Sequence, residues 1–384
     1  MNIIFIVNQH YPFGMAGTMR IKLFAEYLAG KNNDIKILIS NQDNGSNKRA
    51  GSHNGVNYST MTSTKFPSYF FYVIYPLVAF YQLLLTKKKN EINIIVIYGG
   101  INLFTLQFML FGKLIGYKVV LDIVEDRILT DENLSVATKA NLWISEAITP
   151  YLGKVVDGII AISFHLLEKY KSLFSNAFIE LIPVSAANID LDYNNVDRDR
   201  NNKIINILYA GSYGHKDGIN YLLDAFNKVS KHRSDIRLIL IGKAKSSINE
   251  KLRKYDNTQI IFKGYLSDEE YWHELYSADI MCMTRIDTPF SNAGFPFKLG
   301  EYLATGNSVI ATDVSDIGFY LEDKKDFVMA EPSNVASLVN ALEYLINHPE
   351  KRSTIGIHGY HKCKKYFNPK INSQVLLDFL NKLE

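Results

Sequence analysis

Short, almost unbroken apolar runs alternate along this chain with segments of helical period. Residues 2–7 (NIIFIV) read as a buried first strand, and from Thr18 the positions Ile21, Leu23, Phe24 and Leu28 repeat as on a helix. Further strands are expected at 34–40, 92–98, 118–122 and 158–162, with helical segments between them. Residues 184–203 are rich in Asn and Asp with little apolar periodicity, the pattern of a linker. A second series starts at Ile204, with strands expected at 204–210, 236–242, 259–263, 279–284 and 308–312. Ser267 and Glu270 make a capping box ahead of one of its helices. Strands apolar on both faces and separated by helices imply parallel sheets covered on both sides, which bind ligands beyond the carboxyl ends of their strands. The expectation is an α/β protein with domains at 1–184 and 204–366 and a linker at 185–203.

Residues 294–306 (GFPFKLGEYLATG) are the stretch around which the chemistry gathers. Pro296 stands where a helix can begin without wasting a backbone donor, and Gly306 where a left-handed cap ends one, so a helix of about ten residues is expected. Lys298 and Glu301 are three apart and share a face. Free first-turn N–H groups beside a lysine favour an anion, and a carboxylate one turn deeper can accept from sugar hydroxyls. A diphosphate joined to a ribose fits that arrangement; so does a plain surface helix with a solvated Lys/Glu pair.

Other candidates lie at predicted strand ends. Residues 211–218 (GSYGHKDG) form a backbone-amide cradle in which Lys216 can neutralise phosphate. Gly242 with Lys243, and Gly264 with Tyr265 and Leu266, belong to the same sheet edge and suit a base and its ribose, or are ordinary turns. In the first half, the loop carrying Gly14 and Gly17 lets a ligand approach the backbone, and Arg20 either faces an anion or is a solvated surface arginine. Gly99, Gly100, Asp122, Glu125 and Asp126 fall on that edge too. Glu125 and Asp126 suit acceptor hydroxyls or general base work, or else a helix cap or solvated loop. The first loop is not Gly-x-Gly-x-x-Gly, which argues against a nicotinamide site.

Composition narrows the classes. At 384 residues two domains are the default, and 47% hydrophobic with 21% charged residues is a folded profile. A net charge of +3 makes no case for nucleic acid. Cys282 and Cys363 have no metal spacing near them, and the start reads as a strand rather than a signal peptide, so reduced thiols and a cytoplasmic location are expected. Residues 68–85 carry no charge, contain Pro76 and recurrent tyrosines, and precede Lys87, Lys88 and Lys89. A buried helix, an interfacial segment at the cytoplasmic membrane face and a membrane span all fit that run.

Residues 204–347 resemble the donor domain of family-4 glycosyltransferases of the GT-B fold. The resemblance rests on Tyr-Ala-Gly-Ser at 209–212, Ile-Gly-Lys at 241–243, Lys-Gly-Tyr-Leu at 263–266, Leu-Tyr-Ser-Ala-Asp-Ile at 275–280 and, most specifically, Gly-Phe-Pro-x-Lys-x-x-Glu-Tyr-Leu-Ala-Thr-Gly at 294–306. The first half is similar more loosely, through its Tyr-Pro-x-Gly loop and Val-Val-Leu-Asp strand. The resemblance implies two Rossmann-like, doubly wound parallel-sheet domains facing a central cleft, with the C-terminal helix, about 367–384, packed back onto the first. It implies a retaining transferase moving a sugar from a UDP- or GDP-linked donor to a saccharide acceptor, with no metal and no cofactor beyond that co-substrate; the 68–89 segment suggests a lipid-linked acceptor, as in bacterial surface polysaccharide assembly. Lys298 matches the lysine that contacts diphosphate, and Glu301 the glutamate that binds ribose. Gly211, Ser212, Lys216, Gly242, Lys243, Tyr265, Leu266, Gly294, Phe295 and Pro296 complete the candidate donor site. Gly14, Gly17, Arg20 and Glu125 are the acceptor side, and Lys298, Lys216 and Glu125 the catalytic candidates. Three positions depart from the family pattern: Ala293 replaces its first glutamate, Ser212 its arginine, and no histidine stands at the 122–125 turn. These departures keep two rivals open, a GT-B nucleotide-sugar epimerase and a non-catalytic sugar-nucleotide-binding partner.

Overall fold

β1 (Asn2–Val7) and β5 (Asn93–Tyr98) are buried along their whole length, as their apolar runs after a leading Asn require in a sheet covered on both faces. They pair in parallel from Asn2↔Asn93 to Ile6↔Ile97, and Asn2 Nδ2 donates to Asn93 Oδ1 at 2.6 Å where both strands start. The computed structural model describes residues 1–40, 47–61, 68–130, 134–187, 189, 204–243, 255 and 258–384. It divides into two units, Met1–Ser185 with Ala293–Phe295 and Pro369–Glu384, and Ala186–Asn292 with Pro296–Asn368. Most of the expected linker, 188 and 190–203, lies outside the described residues.

The first unit is built on an eight-stranded sheet. Its other strands are β2 (Asp34–Ile39), β3 (Ala50–His53), β4 (Val56–Thr60), β6 (Lys118–Ile123), β7 (Gly158–Ala161) and β8 (Phe178–Leu181). The order is β3-β4-β2-β1-β5-β6-β7-β8, parallel throughout except for the β3–β4 hairpin. The hairpin falls where only helical segments were expected. Its turn residues, Asn54 (φ 46°) and Gly55 (φ 80°), are the pair a tight hairpin turn favours. α1 (Ala16–Ala29) starts two residues before Thr18. The last helix, Pro369–Asn381, belongs to this unit: Tyr27 of α1 donates to Gln374 at 2.6 Å.

α2 (Ser68–Thr86) covers the uncharged run, and α3 (Leu103–Ile115) packs beside it through Phe80 and Phe111, ring centroids 5.4 Å apart. Among the described residues no helix is long and apolar enough to cross a membrane. The described part of the helix has one buried and one exposed face. Ala79 and Leu83 are buried, and Tyr117 donates to the Leu83 carbonyl at 2.9 Å, whereas Leu77, Tyr81, Leu84 and Leu85 are exposed, as are Leu110 and Leu114 on α3.

The second unit holds a six-stranded parallel sheet, order β11-β10-β9-β12-β13-β14. Its strands are β9 (Ile205–Ala210), β10 (Ile236–Ile241), β11 (Ile260–Gly264), β12 (Ile280–Met283), β13 (Ser308–Thr312) and the unanticipated three-residue β14 (Val328–Ala330). Ile207, Leu238, Leu240 and Ile310 share one core with Leu222 and Phe226 of the helix Ile219–Ser230 and Leu342 and Leu345 of the helix Val335–Asn347. The expected capping box forms: Ser267 Oγ accepts from the Glu270 amide at 3.3 Å, and Glu270 Oε2 accepts from the Ser267 amide at 2.9 Å.

Candidate functional site

The carboxyl ends of β9, β10 and β11 are laced together by their glycines. Gly211 N donates to Ile241 O at 2.9 Å, and Gly242 N to Gly264 O at 2.8 Å. After Gly211 the loop makes one 3₁₀ turn, His215–Asp217, and ends at Gly218 in the left-handed region (φ 62°). A Cβ there would lie 1.9 Å from the Thr284 carbonyl, so only glycine lets the loop after β12 close on it. Thr284 Oγ1 donates to Asp217 O at 3.0 Å, and the Ile286 amide to Lys216 O at 3.1 Å, completing that seam.

Onto this edge comes the helix Phe297–Ala304. It is eight residues rather than about ten, and Pro296 is its N-cap rather than part of its first turn. Pro296 supplies no side-chain cap to its first turn. Gly306 takes the expected left-handed conformation (φ 69°) just beyond its end. Tyr302 ties the helix to the sheet. Its hydroxyl accepts from Ala210 N at 2.9 Å and donates to Ala210 O at 3.1 Å, beyond the β9–β12 ladder at Ile207 and Leu208.

Lys298 and Glu301 share a face, and neither is simply solvated. Lys298 Nζ donates to Tyr209 OH at 3.1 Å and Asp217 Oδ1 at 3.2 Å, and its side chain is 21% exposed. A Cβ on Gly211 would lie 2.0 Å from that nitrogen, so the glycine makes room for the ammonium. Burial lowers the lysine's pKa; Asp217 opposes the shift, while Arg285 and Lys216 add to it. Glu301 accepts from Tyr271 OH at 2.8 Å. Burial raises its carboxyl pKa against the Tyr271 bond and the Lys298 charge.

The remaining donor candidates divide. Ser212 donates to Asp217 Oδ2 at 3.0 Å, and the Lys216 ammonium lies 4.5 Å above the Phe290 ring. Lys243 and Tyr265 are exposed and Leu266 half-buried. Gly294 and Phe295 group with the first unit, where Ser163 Oγ donates to Ala293 O at 2.5 Å. Phe295 is buried.

On the acceptor side, both expectations for Arg20 are corrected. It is 1% exposed, and Nε and Nη2 each donate to the Asp122 carboxylate at 3.0 Å. Its guanidinium also donates to the carbonyls of Pro183 (2.8 Å) and Ile182 (3.1 Å). The pair is a buried brace between α1, β6 and the segment after β8. Asp126 is not a solvated loop residue either: it is buried and paired with Lys169 at 2.9 Å. Glu125 is the half-buried carboxylate of this turn, near Gly294. Gly14 and Gly17 stand where a Cβ would strike Thr18 and Tyr98. Asp217, Arg285, Tyr209, Tyr271 and Tyr302 were missed in the sequence; only the neighbourhood of Asp217 and Tyr302 to the glycine loop and to Glu301 pointed to them. Among the described residues no three His, Cys, Asp or Glu side chains gather as a metal cluster.

Residues 194–362 match the family model described as Glycosyl transferases group 1. An uncharacterised glycosyltransferase from Haemophilus influenzae is 26% identical over 191 residues, 48% of this chain and 51% of that protein. The chain thus spans about half the length of that curated relative. Among solved structures, sucrose-phosphate synthase from Thermosynechococcus elongatus superposes with a TM-score of 0.76 at 16% identity, covering 99% of this chain and 98% of that one. Anabaena HepE in complex with UDP gives 0.73 at 13% identity, covering 100% of both. The fold is that of the GT-B glycosyltransferases.

Proposed function

We propose that this protein is a retaining, metal-independent glycosyltransferase that moves a sugar from a UDP- or GDP-linked donor to a saccharide or lipid-linked acceptor in bacterial surface polysaccharide synthesis. The observation that carries the reading is the Lys298 ammonium held by Tyr209 and Asp217 at the carboxyl edge of the second unit's sheet. The group 1 match over that unit and the UDP held by HepE support it. The donor's bond between sugar and diphosphate must break with charge building on the phosphate oxygens. Lys298, Lys216 and the helix amides are fixed cationic and dipolar groups that stabilise that charge. Glu301, oriented by Tyr271, is assigned to the ribose hydroxyls, and Glu125 to the acceptor hydroxyl. The outward apolar face of α2 and α3, with Lys87–Lys89 at its end, supports work at an anionic membrane surface on a cytoplasmic face, as a lipid-linked acceptor requires.

A thermal-shift panel of UDP, GDP and their sugars, followed by mass-spectrometric assay with acceptors, tests the reading. A stabilising donor and a glycosylated acceptor are expected. An isomerised donor without acceptor would make the protein an epimerase, and binding without turnover a non-catalytic partner.

A further inference from the structure

Asp217 is 3% exposed and stands beside the lysine assigned to phosphate, where a carboxylate repels the anion that lysine is meant to hold. Oδ2 accepts from Ser212 Oγ at 3.0 Å and Gly214 N at 3.1 Å, which closes the 3₁₀ turn. Oδ1 is turned to Lys298 Nζ at 3.2 Å. The turn's geometry therefore explains one oxygen and leaves the other for the lysine.

The groups acting on Lys298 come from every element around it. Tyr209 of β9 presents its hydroxyl, and its ring centre lies 4.6 Å from Nζ. Lys216, on the loop, and Arg285, after β12, are cations that favour loss of the lysine's proton. Glu301, on the same helix, acts through space while its own bond comes from Tyr271. Asp217 is the carboxylate bonded to the ammonium. We propose that Asp217 is a positioning residue that keeps Lys298 protonated and pinned against β9, and thereby sets the pH range over which the site holds a nucleotide diphosphate. This rests on the donor reading above. Burial and two neighbouring cations both push Lys298 towards its neutral form, and a neutral amine gives up the charge that attracts phosphate. The repulsion Asp217 adds is the cost of holding that charge in place.

The test compares the wild type with Asp217→Asn, which keeps the size of the side chain. Calorimetry with UDP and GDP runs from about pH 6 to about pH 10, and the Lys298 13Cε resonance is titrated in the nucleotide-free protein. In the Asn variant the Lys298 titration should move down by about one pH unit or more. Nucleotide affinity should equal or exceed that of the wild type near pH 6, where repulsion has been removed, and fall away at lower pH than in the wild type. An equal loss of affinity at every pH, or an unmoved Lys298 titration, overturns the proposal and leaves Asp217 a structural group. A wild type that binds neither nucleotide overturns the donor reading, while the resonance still decides the effect of Asp217 on the lysine. Lys298→Arg gives a second check that does not depend on the Asn variant folding. Arginine stays charged, so its alkaline loss of affinity should vanish; an unchanged loss rejects Lys298 as the titrating group.

Discussion

Arg20 and Lys298 are both cations at the carboxyl edge of a parallel sheet, and their surroundings give them opposite tasks. Every nitrogen of Arg20 is committed to Asp122 or to backbone carbonyls, and it is 1% exposed. Arg20→Ala should therefore act on stability, leaving Asp122 buried without its partner. The expected loss is about 3–5 kcal/mol, read in a urea titration. Lys298 keeps a side chain 21% exposed. Lys298→Ala should cut transfer by a factor of about 100 or more, the scale of losing one charge-stabilising group, with far-UV circular dichroism unchanged. Near-normal turnover would take the residue out of the site. Glu301→Ala should weaken donor binding about tenfold in calorimetry, with a smaller effect on the bound-state rate, since a ribose contact is present before and during the reaction. An unchanged donor affinity would end the ribose assignment.

The element that organises the site is the helix Phe297–Ala304, and the Tyr302 phenol bonds it to β9. Tyr302→Phe leaves an amide and a carbonyl of Ala210 without their partner in the core, at a cost of about 2–3 kcal/mol by chemical denaturation. No change in the denaturation midpoint would show that the contact is dispensable. This helix was legible in the sequence because Pro, Lys, Glu and Gly stand at spacings that local geometry dictates. Strands such as β1, β5 and β9 were legible because each is a short run made mostly of apolar residues. The β3–β4 hairpin was not, because Ala50–His53 is largely exposed and carries no apolar alternation. Its Asn54-Gly55 turn was the signal to read. Asp217, Tyr271 and Asp122 found their partners across 81, 30 and 102 positions, and no local pattern encodes such pairings.

At the scale of the molecule, the first unit presents apolar side chains outward on two neighbouring helices. Leu77 is 72% exposed and Leu114 77%, and neither helix carries an acidic residue. Vesicles containing anionic lipid should sediment the protein, and Leu77→Glu together with Leu114→Glu should release it while leaving nucleotide binding intact. A protein indifferent to such vesicles would speak against a lipid-borne acceptor. In the second unit Lys298 and the candidate base-side residues stand on different elements. Tyr302 fastens the lysine-bearing helix to β9, whereas Lys243 and Tyr265 ride on the turns after β10 and β11. Under the proposed donor reading, exchanging those turns is expected to change nucleobase preference while the contacts of Lys298 with Tyr209 and Asp217 stay in place.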